Sequence, residues 1–137
     1  MPKTKFIVML IMLFIQLNAG QLFAQPTERI DILYFHATIR CDGCLSIENH
    51  IKNTIYSDFE NQLADSSMTL SSLDFLQPCN EHFQDDYKFD QQTLILSKKV
   101  DGKEVKWKNL DKIWEYSANY EKFRNYLKKE IDKFNKK

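Results

Sequence analysis

Residues Ile30–Cys44 read Ile-Asp-Ile-Leu-Tyr-Phe-His-Ala-Thr-Ile-Arg-Cys-Asp-Gly-Cys. Ile30 to Ala37 is an apolar run of strand length. Cys41-Asp-Gly-Cys44 follows it. Leu45, Ile47, Ile51, Ile55, Phe59 and Leu63 then recur mostly four apart, which marks one face of a long helix starting near Cys41. Two cysteines three apart at a helix start can share a disulfide or a metal. The first thiol also sits where unpaired backbone N–H groups and the helix dipole favour a thiolate.

Reading outward from that block, Met68 to Leu76 alternates well enough for a second strand, and Asn80 to Tyr87 reads as a short helix. Thr93 to Val100 is a third strand. Asp101-Gly102 is a hairpin signal, with Glu104 to Trp107 returning. Leu110, Ile113, Trp114, Phe123, Leu127, Ile131 and Phe134 mark a helical C-terminal region, with a break near Ser117-Ala-Asn119. The order strand, helix, strand, helix, strand, strand, helix predicts a thioredoxin-like three-layer α/β/α sandwich around a mixed sheet. The first helix is expected on one face, with the last helix on the other face or across the hairpin. Trp107, Trp114, Tyr126 and Phe134 are expected in the core, Glu48 on a solvated helix surface, and His36 half-buried on its strand.

The N-terminus bears on the compartment. Lys3 and Lys5 precede a continuous apolar stretch from Phe6 to Ile15, and a more polar segment ends Leu22-Phe-Ala-Gln-Pro26. This is the plan of a secretory signal cut after Ala24, although Leu22 is bulkier than the usual small residue. An uncleaved anchor is the competing reading. Residues 1–24 are therefore expected to be a signal peptide and residues 25–137 a single domain, periplasmic or secreted, with no stable membrane insertion after cleavage. Lys and Arg number 19, as do Asp and Glu. Removing the leader takes away two lysines and leaves a slight acidic excess, so no nucleic-acid partner is expected. The C-terminal lysines, interrupted by Glu130 and Asp132, read as a solvated helix end. With 3 cysteines in the chain, one pair and one leftover fits better than a disulfide scaffold.

The segment Tyr34-Phe-His-Ala-Thr-Ile-Arg-Cys-Asp-Gly-Cys-Leu-Ser-Ile-Glu48 resembles the start of the nitrophenyl compound nitroreductase subunit-like family, small exported bacterial proteins of thioredoxin type. Asn80-Glu-His-Phe-Gln-Asp-Asp-Tyr87 and Asp101-Gly-Lys-Glu-Val-Lys-Trp-Lys-Asn-Leu-Asp-Lys-Ile-Trp114 are similar to later stretches of that family. The likeness spans most of residues 25–137. It implies thiol–disulfide exchange with a partner protein that carries a disulfide or dithiol. No segment resembles a flavin or nicotinamide site, so no organic cofactor is expected, and a reductase role would be electron delivery through the thiols. The expected form is a monomer.

Two departures from ordinary thioredoxins stand out. The pair between the cysteines is Asp-Gly instead of Gly-Pro, so Asp42 opposes a Cys41 thiolate while Arg40 favours it. Gln92 or Thr93 occupies the substrate-loop position where thioredoxins carry a cis-proline. A non-proline cis bond costs roughly 3 kcal/mol, so a trans bond is expected there. The expected catalytic pair is Cys41 as exposed nucleophile and Cys44 as resolving thiol, with Arg40, Asp42 and His36 as modulators. Two alternatives remain. Cys41, Cys44, Cys79 and His82 match a ligand count for zinc or cuprous copper. A non-catalytic partner module could also use the disulfide only as a staple, although so short a loop removes little chain entropy.

Overall fold

The computed structural model describes residues 27–136. The expected signal peptide and its cut after Ala24 lie outside them. The chain runs β1 (Glu28–His36), α1 (Asp42–Asp58), α2 (Glu60–Ala64), β2 (Met68–Asp74), α3 (His82–Tyr87), β3 (Thr93–Val100), β4 (Lys103–Asn109), a 3-10 turn (Asp111–Trp114) and α4 (Tyr120–Lys136). The four strands form one sheet in the order β2-β1-β3-β4. β1 pairs with β2 in parallel and with β3 antiparallel, and β4 pairs antiparallel with β3. This is a mixed α/β architecture of thioredoxin-like order, and β1 lies at its centre.

Strand alternation sorts the core into two clusters. Ile30, Ile32, Tyr34, Leu94 and Leu96 face α1 through Ile47, Ile51 and Ile55, and α4 through Phe123, Leu127, Ile131 and Phe134. Phe35 and Ile95 point the other way, against Phe75, Tyr87 and Phe89 around α3. The two long helices therefore share a face, which corrects the expectation of a last helix opposite the first; the alternative, a last helix across the hairpin, agrees with the contacts of Lys106 with Phe134 and Lys108 with Glu130. The aromatic residues of the β2–β3 connection explain this placement. Phe35 packs on Phe89 at 4.8 Å, Phe83 at 5.1 Å and Tyr87 at 5.9 Å between ring centroids, so its end of that face is already filled.

Other details follow from local chemistry. Asp101 and Gly102 have φ of 50° and 78°, the pair of left-handed residues that a two-residue hairpin turn requires. The turn also holds the start of β1: Asp101 N–H donates to Thr27 O, and Thr27 N–H donates to the Asp101 carboxylate, both at 3.1 Å. The apolar stripe read as one helix breaks at Phe59, where φ is −129°, so Leu63 belongs to α2. Ile51, Ile55, Phe59 and Ile95 are buried, while Trp114 and Tyr126 are half-buried against the first cluster. Trp107, expected in the core, is 40 % exposed. It lies on edge strand β4, with the Tyr87 ring edge-on against it at 5.4 Å.

Candidate functional site

β1 ends at His36, and a short loop delivers Cys41 to the first position before α1. Its backbone is extended there (φ −83°, ψ 165°), and its Sγ accepts the Cys44 N–H at 3.2 Å while its carbonyl accepts the Leu45 N–H at 3.1 Å. The cysteine thus does the work of an N-cap side chain. Cys41 and Cys44 form a disulfide across a Cα–Cα distance of 5.1 Å. Cys41 is exposed with Asp42 and Gly43, while Cys44 is 4 % exposed. The helix start therefore presents one sulfur to solvent and holds the other against the core.

A polar network lies around this turn of the helix. Glu48 follows Cys44 by four residues, so the two share a face of α1. Glu48 is buried and forms an ion pair with Arg40. Its other oxygen accepts from Lys52 at 2.9 Å and from Ser72 at 3.0 Å. Burial alone would raise the Glu48 carboxyl, but Lys52, Ser72 and Arg40 outweigh it and hold the group below the usual glutamate range. Arg40 also donates to the His36 ring. His36 is buried, and its Nδ1 faces Ala37 O at 2.9 Å. The arginine reaches both ring nitrogens, Nε to Nδ1 at 3.2 Å and Nη2 to Nε2. Arg40 is thus committed to Glu48 and His36.

The substrate-loop candidates separate. Thr93 is buried, and its hydroxyl donates to Asn109 Oδ1 at 2.5 Å, which leaves it engaged inside the sheet. Gln92 is half-buried and is held at both ends. Trp114 Nε1–H donates to its carbonyl at 3.0 Å, and its side-chain oxygen lies 3.2 Å from the Tyr34 hydroxyl. The same hydroxyl reaches the Cys44 carbonyl at 3.1 Å. No peptide bond among the described residues is cis.

Cys79 is free and exposed on the connection between β2 and α3. His82 is also exposed and faces Asp86 at 3.9 Å. Among the described residues, no three His, Cys, Asp or Glu side chains converge as a metal site. The set Cys41, Cys44, Cys79 and His82 is not assembled, and two of its members are bonded to each other. No helix among the described residues is long and apolar enough to cross a membrane.

The sequence reading missed Glu48 as part of the site, together with Lys52, Ser72 and Tyr34. A signal for Glu48 was present. It follows Ile47 and precedes Ile51 by three, which places it on the apolar face with Cys44. Tyr34 and Ser72 carried no comparable signal, because their meeting with α1 depends on the β1–β2 register, which aligns them. No protein-family model matches the chain, and no curated protein matches it.

Proposed function

We propose that this is an exported thioredoxin-like protein that exchanges dithiol and disulfide forms with a partner protein. In this reading it belongs with the small nitroreductase-subunit-like proteins that its Tyr34–Glu48 segment resembles, and it supplies a reductase system with electrons through its thiols. The observation that carries the reading is the disulfide between an exposed cysteine at a helix start and a buried one a turn later. A disulfide placed only for stability has no need of a solvent-facing sulfur, and closing so short a loop removes little chain entropy.

In the reduced protein, Cys41 is the group that ionises and attacks. The first-turn N–H that its sulfur already accepts, with the helix dipole behind it, stabilises the thiolate. Attack on a partner disulfide forms a Cys41–partner bond and expels one partner thiolate. Cys44, having lost its proton to solvent, then attacks the Cys41 sulfur. The Cys41–Cys44 bond forms, and the second partner sulfur leaves as a thiolate. Two electrons pass to the partner, and two protons leave this protein. The reverse sequence oxidises a partner dithiol, and the relative stability of the thiolate forms sets the direction. Asp42, exposed on the first turn, adds negative charge on the solvent side.

The test is capture. A Cys44→Ser protein should accumulate a covalent mixed disulfide through Cys41 in the compartment where the native protein resides, and Cys41→Ser should accumulate none. If Cys44→Ser captures nothing and Cys41 alkylates no faster than a free thiol, the staple reading replaces this one. N-terminal sequencing of the same exported material should begin at Gln25. A sequence starting at Met1 or Pro2 would overturn the cleavage and leave the uncleaved anchor.

A further inference from the structure

We infer that Tyr34 and Gln92 form a tether that positions the inner cysteine for disulfide closure. The inference rests on the exchange reading above and adds residues with no part in it. Tyr34 is 1 % exposed, and its hydroxyl lies between the Cys44 carbonyl at 3.1 Å and the Gln92 side chain at 3.2 Å. Gln92 is fixed in turn by the Trp114 indole, which donates to its carbonyl. Three separate parts of the fold, namely β1, the loop before β3 and the turn after β4, thus converge on one backbone carbonyl of the Cys-x-x-Cys.

The proton count decides how the chain of bonds runs. A phenol has one hydrogen and cannot donate to two oxygens at once. The arrangement that satisfies every atom turns the Gln92 amide so that its NH₂ donates to the Tyr34 oxygen while the Tyr34 hydrogen goes to the Cys44 carbonyl. Amide orientation is assigned from such networks, and bonds in series strengthen one another. Burial, with the nearby charge of Glu48 adding to it and Arg40 opposing, pushes the phenol up to about 12. The hydroxyl is therefore a donor across the neutral range.

The carbonyl so held belongs to the residue whose sulfur closes the bond. On reduction the two sulfurs are no longer joined, and Cys44 is kept near Cys41 by the backbone and by the N–H it gives to Cys41 Sγ. A tether to the Cys44 carbonyl keeps the inner cysteine where the disulfide needs it. It therefore favours the closed form and speeds the second step, while the attack by Cys41 on an outside sulfur does not use it. Tyr34 and Gln92 are positioning residues, since neither touches the reacting sulfurs.

The experiment uses the full chain with glutathione disulfide as probe. Acid quenching and mass spectrometry follow the Cys41–glutathione adduct as it forms and decays, and a Cys44→Ser background gives the first step alone. Tyr34→Phe and Gln92→Leu should each slow decay of the adduct about tenfold, the scale of one buried hydrogen bond. Each should leave its formation within about twofold. The combined variant should be no slower than either single change, because both break the same chain. A dithiothreitol redox buffer gives a second measurement that needs no exchange with glutathione. In it, each change should shift the Cys41–Cys44 equilibrium toward the dithiol by the same factor. Equal slowing of both steps, multiplying effects in the combined variant, or an unmoved equilibrium would overturn the tether. A Cys44→Ser chain that forms no adduct at all would instead sink the exchange reading, and the equilibrium would still decide the tether.

Discussion

Glu48 and Asp31 are two buried carboxylates built from the same parts, on opposite faces of the sheet and near opposite ends of β1. Each takes one arginine, one lysine and one hydroxyl from β2. Glu48 has Arg40, Lys52 and Ser72. Asp31 has Arg29 at 2.7 Å, Lys99 at 2.8 Å and Thr69 at 2.7 Å. The surroundings differ. The face that holds Glu48 is covered by α1 and α4, and its arginine is 24 % exposed and passes on to His36. The face that holds Asp31 is covered only near Phe35 by the short α3, and its arginine is 43 % exposed. Asp31 is thus a way of finishing a sheet face beyond the reach of a short helix. Glu48 is a charge placed at the margin of the apolar cover of α1 and α4, with Lys52 reaching it from solvent, where hydrophobic packing would cost less. A charge kept there beside a Cys-x-x-Cys points to chemistry, and its twin points to architecture.

The comparison breaks first on stability. Glu48→Ala leaves the mostly buried Arg40 without its carboxylate, and should cost about 3 kcal/mol. Asp31→Ala leaves an arginine that is 43 % exposed and can turn to water, and should cost about 1–2 kcal/mol. Urea unfolding of the oxidised protein measures both, and equal losses would erase the distinction.

Acid sharpens the comparison. Both carboxyls lie below their ordinary values: burial raises each, and the ion pairs and hydrogen bonds outweigh it. Stability from each is therefore fully present above the unfolded values of about 3.9 for Asp and 4.3 for Glu. It is lost as pH falls through the lower folded values. The urea midpoint should drop between about pH 5 and pH 2. Glu48→Gln and Asp31→Asn should each flatten part of that drop. A variant whose acid limb stays as steep as the native one does not carry the coupling assigned to it.

The subtlest contrast is redox. Glu48→Gln removes a negative charge near Cys44 and frees Arg40 and Lys52. It should shift the disulfide toward the dithiol by about tenfold, one unit of thiolate stabilisation. Asp31→Asn, at the far end of β1 and on the other face, should shift it by less than about twofold. A comparable response from both in a dithiothreitol titration would mean that the Glu48 network has no special access to the cysteines.

Much of this was legible in the residues. The apolar run of β1, the Cys-x-x-Cys, the Thr93–Val100 strand and the Asp101-Gly102 turn are local patterns, and local patterns survive folding. The shared face of α1 and α4 was not legible, because it depends on what fills the opposite face, and Phe75, Phe83, Tyr87 and Phe89 fill it only once β2 and β3 are in place. Trp107 read as core from its type alone, yet edge strands leave large rings partly uncovered. Glu48 and Asp31 were masked by their own charge. A carboxylate in an apolar stripe reads as a solvated residue until its partners are known, and Ser72, Thr69 and Lys99 lie far away in sequence.

The central place of β1 has a further consequence for how the molecule comes into being. The strand is the first element of the described fold, yet its neighbours begin at Met68 and Thr93. During synthesis from the N-terminus, or threading in that order across a membrane, Ile30–Phe35 emerges long before anything can pair with either of its edges. One edge of the strand waits for Met68–Asp74 and the other for Thr93–Val100. Such long-range pairing is slow and aggregation-prone. The nascent protein therefore carries an unpaired apolar strand with Cys41 and Cys44 just behind it. A holding chaperone bound to that strand would also govern when Cys41 and Cys44 first meet an oxidant.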